Sequence, residues 1–154
     1  MKLQATISEA DVDVVISPKG NGAIMVQQPD GSATGGDSRG THAVDLQTSR
    51  GEAGQVASGS FSVIAGGYWN EANKNHATVG GGSNNIASGS YSLIPGGKSN
   101  IASGYSSSAF GTNNQANGMN SVAIGYNNSA DSDYSFVGGS FNFGNVFADR
   151  KSVV

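Results

Sequence analysis

Small, apolar and bulkier residues recur along this chain in a fixed order. A unit that starts with Ala, carries Ser or Ala five residues later and reaches Gly nine residues after its start appears six times, at a spacing of 14 or 15 residues. The starting alanines are Ala57, Ala72, Ala87, Ala102, Ala116 and Ala130, and the glycines are Gly66, Gly81, Gly96, Gly111, Gly125 and Gly139. Within each unit the residue types alternate with a period of two, as they do on the faces of a β-strand. Counting from each Ala, position 6 (Ser62, Ala77, Ser92, Ser107, Ser121, Ser135) and position 8 (Ile64, Val79, Ile94, Ala109, Ala123, Val137) are small or apolar. Together with the position-10 Gly they predict a narrow interior face. Positions 5, 7 and 9 carry the bulkier side chains. A fixed period over more than half a chain predicts stacked coils, a quasi-one-dimensional fold. Each coil has room for two strands and two turns, and six coils stacked roughly 4.8 Å apart make a body roughly 29 Å tall. Gly in every unit argues against helix, since it costs about 1 kcal/mol relative to Ala in a helix interior.

The odd-position face has a consequence for assembly. A strand that is apolar on both faces is buried on both. One coil interior covers only one of them, so the outer face calls for a partner, and a second copy of the chain is the simplest. The residues assigned to this interface are Phe61, Val63, Tyr91, Leu93, Phe110, Val122, Ile124 and Phe136.

Three zones follow. Residues 1–50 are non-repetitive. Strand-like runs at residues 12–17 and 23–27 flank a turn at residues 18–22, which predicts a β-hairpin. Pro29-Asp30-Gly31 is a second turn signal. Gly40-Thr41-His42-Ala43-Val44 reads as a degenerate earlier copy of the unit, separated from the next by an insertion or capping turn. Residues 51–143 form the repeat zone. Residues 144–154 break the pattern and read as a cap or the start of a continuation.

Composition narrows the function. Among 154 residues there are 24 Gly, 12% are charged and none is Cys, which excludes disulfides and thiolate metal sites. The net charge of −3 comes with no basic patch, so nucleic acid is not an expected partner. Lys2 is followed by no apolar stretch of the kind a secretory signal needs, and no run is long enough to span a bilayer, so membrane insertion is not expected.

Ala116-Asn117-Gly118-Met119-Asn120-Ser121-Val122-Ala123-Ile124-Gly125 and Ala87-Ser88-Gly89-Ser90-Tyr91-Ser92 resemble the head repeats of trimeric autotransporter adhesins, the YadA-like head family. The resemblance covers about residues 57–143. It implies an all-β, left-handed parallel β-roll of 14–15-residue coils, three chains side by side, acting as a surface adhesin. Ile16-Ser17-Pro18-Lys19-Gly20-Asn21-Gly22-Ala23 and the stretch from Pro29 to Gly36 resemble the segment preceding such repeats in phage tail-fibre proteins. The chain departs from the adhesins in its paired glycines, such as Gly66-Gly67 and Gly96-Gly97, and it carries no coiled-coil stalk or membrane anchor. The expectation is therefore a homotrimeric tail-fibre segment in a virion. Its partners would be a host surface glycan or protein receptor and other virion tail proteins. The alternatives are the head of a bacterial autotransporter on the outer surface, a purely structural fibre segment, and a tailspike-type glycan depolymerase with an inter-chain site.

Catalytic candidates are weak. Asp131 and Asp133 stand two apart, but a solvated turn explains them better than the acid/base pair of a glycosidase. Gly80-Gly81-Gly82 lacks the Asp of calcium-binding rolls. His42 and His76 are too few for a metal cluster in one chain, and His76 shares the column of Phe61 and Tyr91, which reads as a packed ring. No Ser sits in a nucleophile elbow. No catalytic residue, metal or cofactor is expected. Tyr68, Trp69 and Tyr126 lie in the turn after the recurring Gly, where aromatics can stack on sugar rings, and they are the binding candidates. The Asn pairs Asn84-Asn85, Asn113-Asn114 and Asn127-Asn128 could hydrogen-bond sugar hydroxyls, although Asn's tolerance of left-handed turns is the simpler explanation.

Overall fold

A computed structural model describes residues 18–141. They form a parallel β-solenoid, with no helix among the described residues. One nine-stranded sheet runs through Ile24–Met25, Val44–Asp45, Val63–Ile64, Thr78–Val79, Leu93–Ile94, Ser108–Thr112, Val122–Tyr126 and Phe136–Ser140, with Gly97–Lys98 pairing beside Ser108–Thr112. A second sheet of five strands runs through Glu71–Ala72, Ile86–Ala87, Ile101–Ala102, Gln115–Ala116 and Ser129–Ala130. Every pairing is parallel, and each joins equivalent positions of successive coils.

The interior is the column structure that the alternation predicts. The starting alanines Ala57, Ala72, Ala87, Ala102, Ala116 and Ala130 are fully buried, and so are Ile64, Val79, Ile94, Ala109, Ala123 and Val137 at position 8. The position-6 side chains are buried too. Ser62 and Ser135 satisfy their hydroxyls on Gly59 O (2.7 Å) and Ser132 O (2.6 Å). Those of Ser92, Ser107 and Ser121 are buried without a hydrogen-bond partner. A buried unpaired hydroxyl destabilises, and Ala77 already occupies this column. Ser107→Ala is therefore expected to leave the urea midpoint unchanged or raise stability by about 1 kcal/mol.

The interior face ends at position 8. Position 10, expected to face inward, is not buried in any coil. In the 14-residue coils its Gly is required by close coil approach, as at Gly111 and Gly125, whereas a Cβ at Gly66, Gly81 or Gly96 would meet open space. In the 15-residue coils the second Gly of each pair stacks on its counterparts, giving the column Gly67, Gly82, Gly97, Gly111, Gly125, Gly139. At Gly97, for example, φ is +102° and a Cβ would lie 1.9 Å from Gly111 O. The extra Gly also breaks the strand. Coils with Gly66-Gly67 or Gly81-Gly82 keep two-residue strands, whereas the single-Gly coils run unbroken over five residues, as in Val122–Tyr126.

Position 5 departs more sharply from the expected strand. His42, Phe61, His76, Tyr91, Ser106, Asn120 and Tyr134 all have φ between 53° and 61°. They form a left-handed turn ahead of the strand. Each of these N–H groups from Phe61 onward reaches back to the preceding coil, as Phe61 N does to Thr41 O (2.8 Å) and Tyr91 N to Asn75 O (3.0 Å). Left-handed backbone costs a non-Gly residue about 1–2 kcal/mol. Ring contacts offset part of that. His42, Phe61, His76 and Tyr91 stack in succession with centroids 5.0, 5.1 and 4.7 Å apart, and Tyr105 closes the column edge-on at 5.5 Å.

At the N-terminal side the first sheet continues beyond the six units. Val44–Asp45 pairs in parallel with Val63–Ile64, so the stretch from Gly40 does form an earlier coil. Ile24–Met25 pairs with Val44–Asp45, also in parallel. The other arm of the expected hairpin, residues 12–17, lies outside the described residues. Asp45 takes the interior place that Ile64 and Val79 hold in the next coils. Its Oδ2 accepts from Arg39 Nε (2.8 Å) and Arg50 Nη2 (3.0 Å), and all three side chains are fully buried. Arg50 also donates to Gln27, Thr34, Gln47 and Gln55, tying the inserted loops to the first coil. The turn signalled at Pro29-Asp30-Gly31 falls slightly later, at residues 33–35, where Gly36 N donates to Ser32 O (2.7 Å). Asp30 Oδ1 accepts from the Ser32 hydroxyl (2.7 Å), Ser32 N (2.9 Å) and Gly35 N (3.1 Å), and these donors, the hydroxyl first, hold its carboxyl below the usual carboxylate value.

Candidate functional site

The turn after the first sheet presents two side-chain columns. Tyr68, Ser83, Lys98, Thr112, Tyr126 and Ser140 stand in one ladder. The residues that follow them, Trp69, Asn84, Ser99, Asn113, Asn127 and Phe141, all have φ between 55° and 59°. Their backbone N–H groups are used between coils: Trp69 N donates to Ser49 O, Asn84 N to Tyr68 O and Ser99 N to Ser83 O. With the backbone occupied, the side chains make the surface.

Tyr68 and Trp69 come together. Their rings meet edge to face at 5.4 Å and both are exposed. They line a shallow groove of about 200 Å³ together with Ser83, Asn84, Lys98 and Ser99. Tyr126 is not part of it. Four ladder steps separate it from Tyr68, roughly 19 Å at the inter-coil spacing, and it packs against Phe141 at 5.0 Å.

The Asn pairs divide their labour, and sequence reading missed half of it. The first member of each pair (Asn84, Asn113, Asn127) takes the left-handed turn. The second (Asn85, Asn114, Asn128) is buried with Asn70 and Asn100 in a continuous ladder. Each Nδ2 donates to the Oδ1 of the preceding coil's Asn at 3.1–3.2 Å, and each backbone N–H donates to that same oxygen at 3.0–3.1 Å. The amides also cap the turn carbonyls, as Asn100 Nδ2 does for Gly111 O (2.8 Å). Gln47 ends the ladder below Asn70, accepting from Asn70 N (2.9 Å) and donating to Asn70 O (2.8 Å). This Asn stands two residues before each next Ala, and that fixed offset was the available signal.

The remaining chemical candidates are engaged structurally. Asp131 Oδ1 accepts from Asn117 Nδ2 (2.7 Å) and Ser129 Oγ (2.8 Å), while Asp133 Oδ1 accepts from Met119 N (2.8 Å). They serve separate turn contacts. The His76 ring lies sandwiched between Phe61 and Tyr91. No group of three or more potential metal-ligating side chains occurs among the described residues.

The outward faces of the two sheets differ. On the first, Leu93, Ile124 and Phe136 are exposed and Val63, Phe110 and Val122 half-buried. Phe61 and Tyr91 sit beside this face, in the left-handed turn, and each is about half exposed. The second sheet is edged by a polar chain in which Ser103 donates to Asn117 (2.7 Å) and Asn117 to Asp131 (2.7 Å).

Stacked parallel coils with an Ala, Ser and Ile/Val interior place the chain among the β-solenoid proteins. Its later coils are similar to YadA head domain repeats: the model of that family matches two copies, at residues 102–128 and 120–140. No curated protein matches the chain.

Proposed function

We infer that the chain is an adhesin-type attachment segment that works as a homotrimer of left-handed rolls, with no catalytic role of its own. YadA head repeats support the adhesin class. The observation that carries the assembly is the apolar stripe with Leu93, Ile124 and Phe136 in the open on the first sheet; the outward positions of the second mix Glu71, Gln115 and Ser129 with half-buried Ile86 and Ile101. Water on such a stripe is unfavourable by about 25 cal/mol for every Å² that a partner would cover. Around a threefold axis one such face of each chain meets both neighbours.

Sedimentation tests this directly. The wild-type chain is expected to run as a trimer, and Leu93→Lys or Val122→Asp to shift it to monomer while the circular dichroism of the sheet persists. A stable wild-type monomer would overturn the assembly.

The setting we favour is a phage tail fibre, supported by the resemblance of residues 16–36 to segments preceding such repeats in virion proteins. A bacterial autotransporter head fits the YadA repeats equally well. Tail genes or a secretion anchor beside the reading frame separates the two. Release of sugars from host polysaccharide by the purified protein would overturn the non-catalytic assignment.

A further inference from the structure

We propose that the groove between Tyr68, Trp69 and Lys98 binds a single pyranose ring carrying a carboxylate, a uronic or sialic acid type of sugar. The proposal rests on the attachment reading above and adds the ligand class. Four observations carry it.

The groove measures about 200 Å³, below the roughly 300–1,000 Å³ of sites for drug-sized ligands, so it matches one ring. The edge-to-face Tyr68–Trp69 pair supplies an exposed apolar wall, the surface on which the C–H face of a pyranose packs. Ser83 and Ser99 line the same groove, together with Asn84, whose amide donates to Ser99 Oγ at 3.3 Å. Both partners of that bond keep further capacity for ring hydroxyls. Lys98 lines the same groove, is exposed and makes no ion pair among the described residues. No carboxylate lines the groove. In a chain of net charge −3, an unpaired ammonium beside an aromatic wall is the complement of an anionic ring. The four residues between the ends of the Trp69 column, Asn84, Ser99, Asn113 and Asn127, are small and polar, and the aromatics Trp69 and Phe141 stand at its two ends. Of these two aromatics, Trp69 is the one that lines the groove.

The experiment uses the chain's single Trp, whose fluorescence reports this groove alone. The full chain is titrated with methyl glucuronide, with sialyllactose, and with methyl glucoside and lactose as neutral counterparts. At least one acidic sugar is expected to shift the emission saturably, about tenfold more tightly than its neutral counterpart. Lys98→Gln is expected to abolish that difference with sedimentation unchanged. Trp69→Phe, followed by saturation-transfer NMR, is expected to weaken binding of both kinds. Equal binding of acidic and neutral sugars, no response to any of the four, or an acidic preference that survives in Lys98→Gln would each overturn the proposal. A host-cell pull-down separates this from the wider reading. A chain that binds cells but none of these sugars refutes the groove and leaves the adhesin; one that binds the acidic sugar but no cell does the reverse.

Discussion

Asn100→Ala is expected to destabilise the roll by about 2–4 kcal/mol, measured as the shift in urea unfolding. The side chain donates to Asn85 Oδ1 (3.1 Å), Gly96 O (3.3 Å) and Gly111 O (2.8 Å), and its Oδ1 accepts from Asn114 N (3.0 Å) and Asn114 Nδ2 (3.2 Å). Several of these partners have other bonds. Asn114 Nδ2 still reaches Phe110 O and Gly125 O, and Asn85 Oδ1 still accepts from the backbone of residue 100. Asn114 N–H loses the side-chain oxygen that accepts it while remaining buried. An orphaned buried donor costs about 1–3 kcal/mol, and the other lost bonds add about 1 kcal/mol between them once their partial replacement is counted. Asn113→Ala provides the contrast. That residue is exposed, and its amide bonds only to the next coil's Asn127 Oδ1 (2.5 Å), in the open, so a change of about 1 kcal/mol is expected, mostly from left-handed backbone. Equal effects at the two neighbours would refute the ladder.

Asp45→Ala is expected to cost about 3–5 kcal/mol, the usual penalty for leaving buried charge uncompensated. Here two guanidiniums share one carboxylate inside the roll, and Arg39 Nη2 is already buried without a hydrogen-bond partner. Removing Asp45 leaves both cations without a counter-charge. The damage should stay local, because each coil of a stacked fold contacts only its neighbours. Hydrogen exchange is the measurement. Amides of residues 24–64 should lose protection, while those of the Ser108–Thr112, Val122–Tyr126 and Phe136–Ser140 strands keep theirs. Uniform loss along the chain would contradict this. Asp45→Leu combined with Arg39→Met and Arg50→Met should recover most of the stability, since an apolar replacement of a whole buried cluster is often neutral or better.

The interior columns were legible in the sequence because small and β-branched residues repeat there with one period and one physical role. The alternation was carried too far at both ends. Position 5 shares its parity with the outward strand positions, and nothing in Phe61, Tyr91 or Tyr134 as residue types signals left-handed backbone. The Gly that coil contact demands is position 10 in the 14-residue coils and the residue after it in the 15-residue coils, and neither fills the interior. The buried Asn ladder was obscured for another reason. Asn in a turn is ordinary, and a polar side chain is rarely expected to be fully buried. Only its fixed offset from the next Ala marks Asn70 and its successors as structural. Asp45 was hidden because a charged residue in the Ile64 column makes sense only with Arg39 and Arg50 folded over it. Of the aromatic binding candidates, Tyr68 and Trp69 are adjacent in sequence and meet, whereas the distance of Tyr126 depends on how many coils lie between, which became fixed once the coils were stacked.

The paired glycines bear on how such a roll can change over time. In an ordinary strand one added residue turns every later side chain over to the wrong face. Here the supernumerary Gly is taken up at the outer corner, after the interior residues of its coil have been placed and before the Asn ladder resumes. Coils of 15 and 14 residues therefore follow one another with every buried column intact, as Asn100 and Asn114 show across that junction. Single-residue gains and losses at this corner leave no trace in the core, so the surface turns can diverge in length and chemistry while the rod beneath them stays the same.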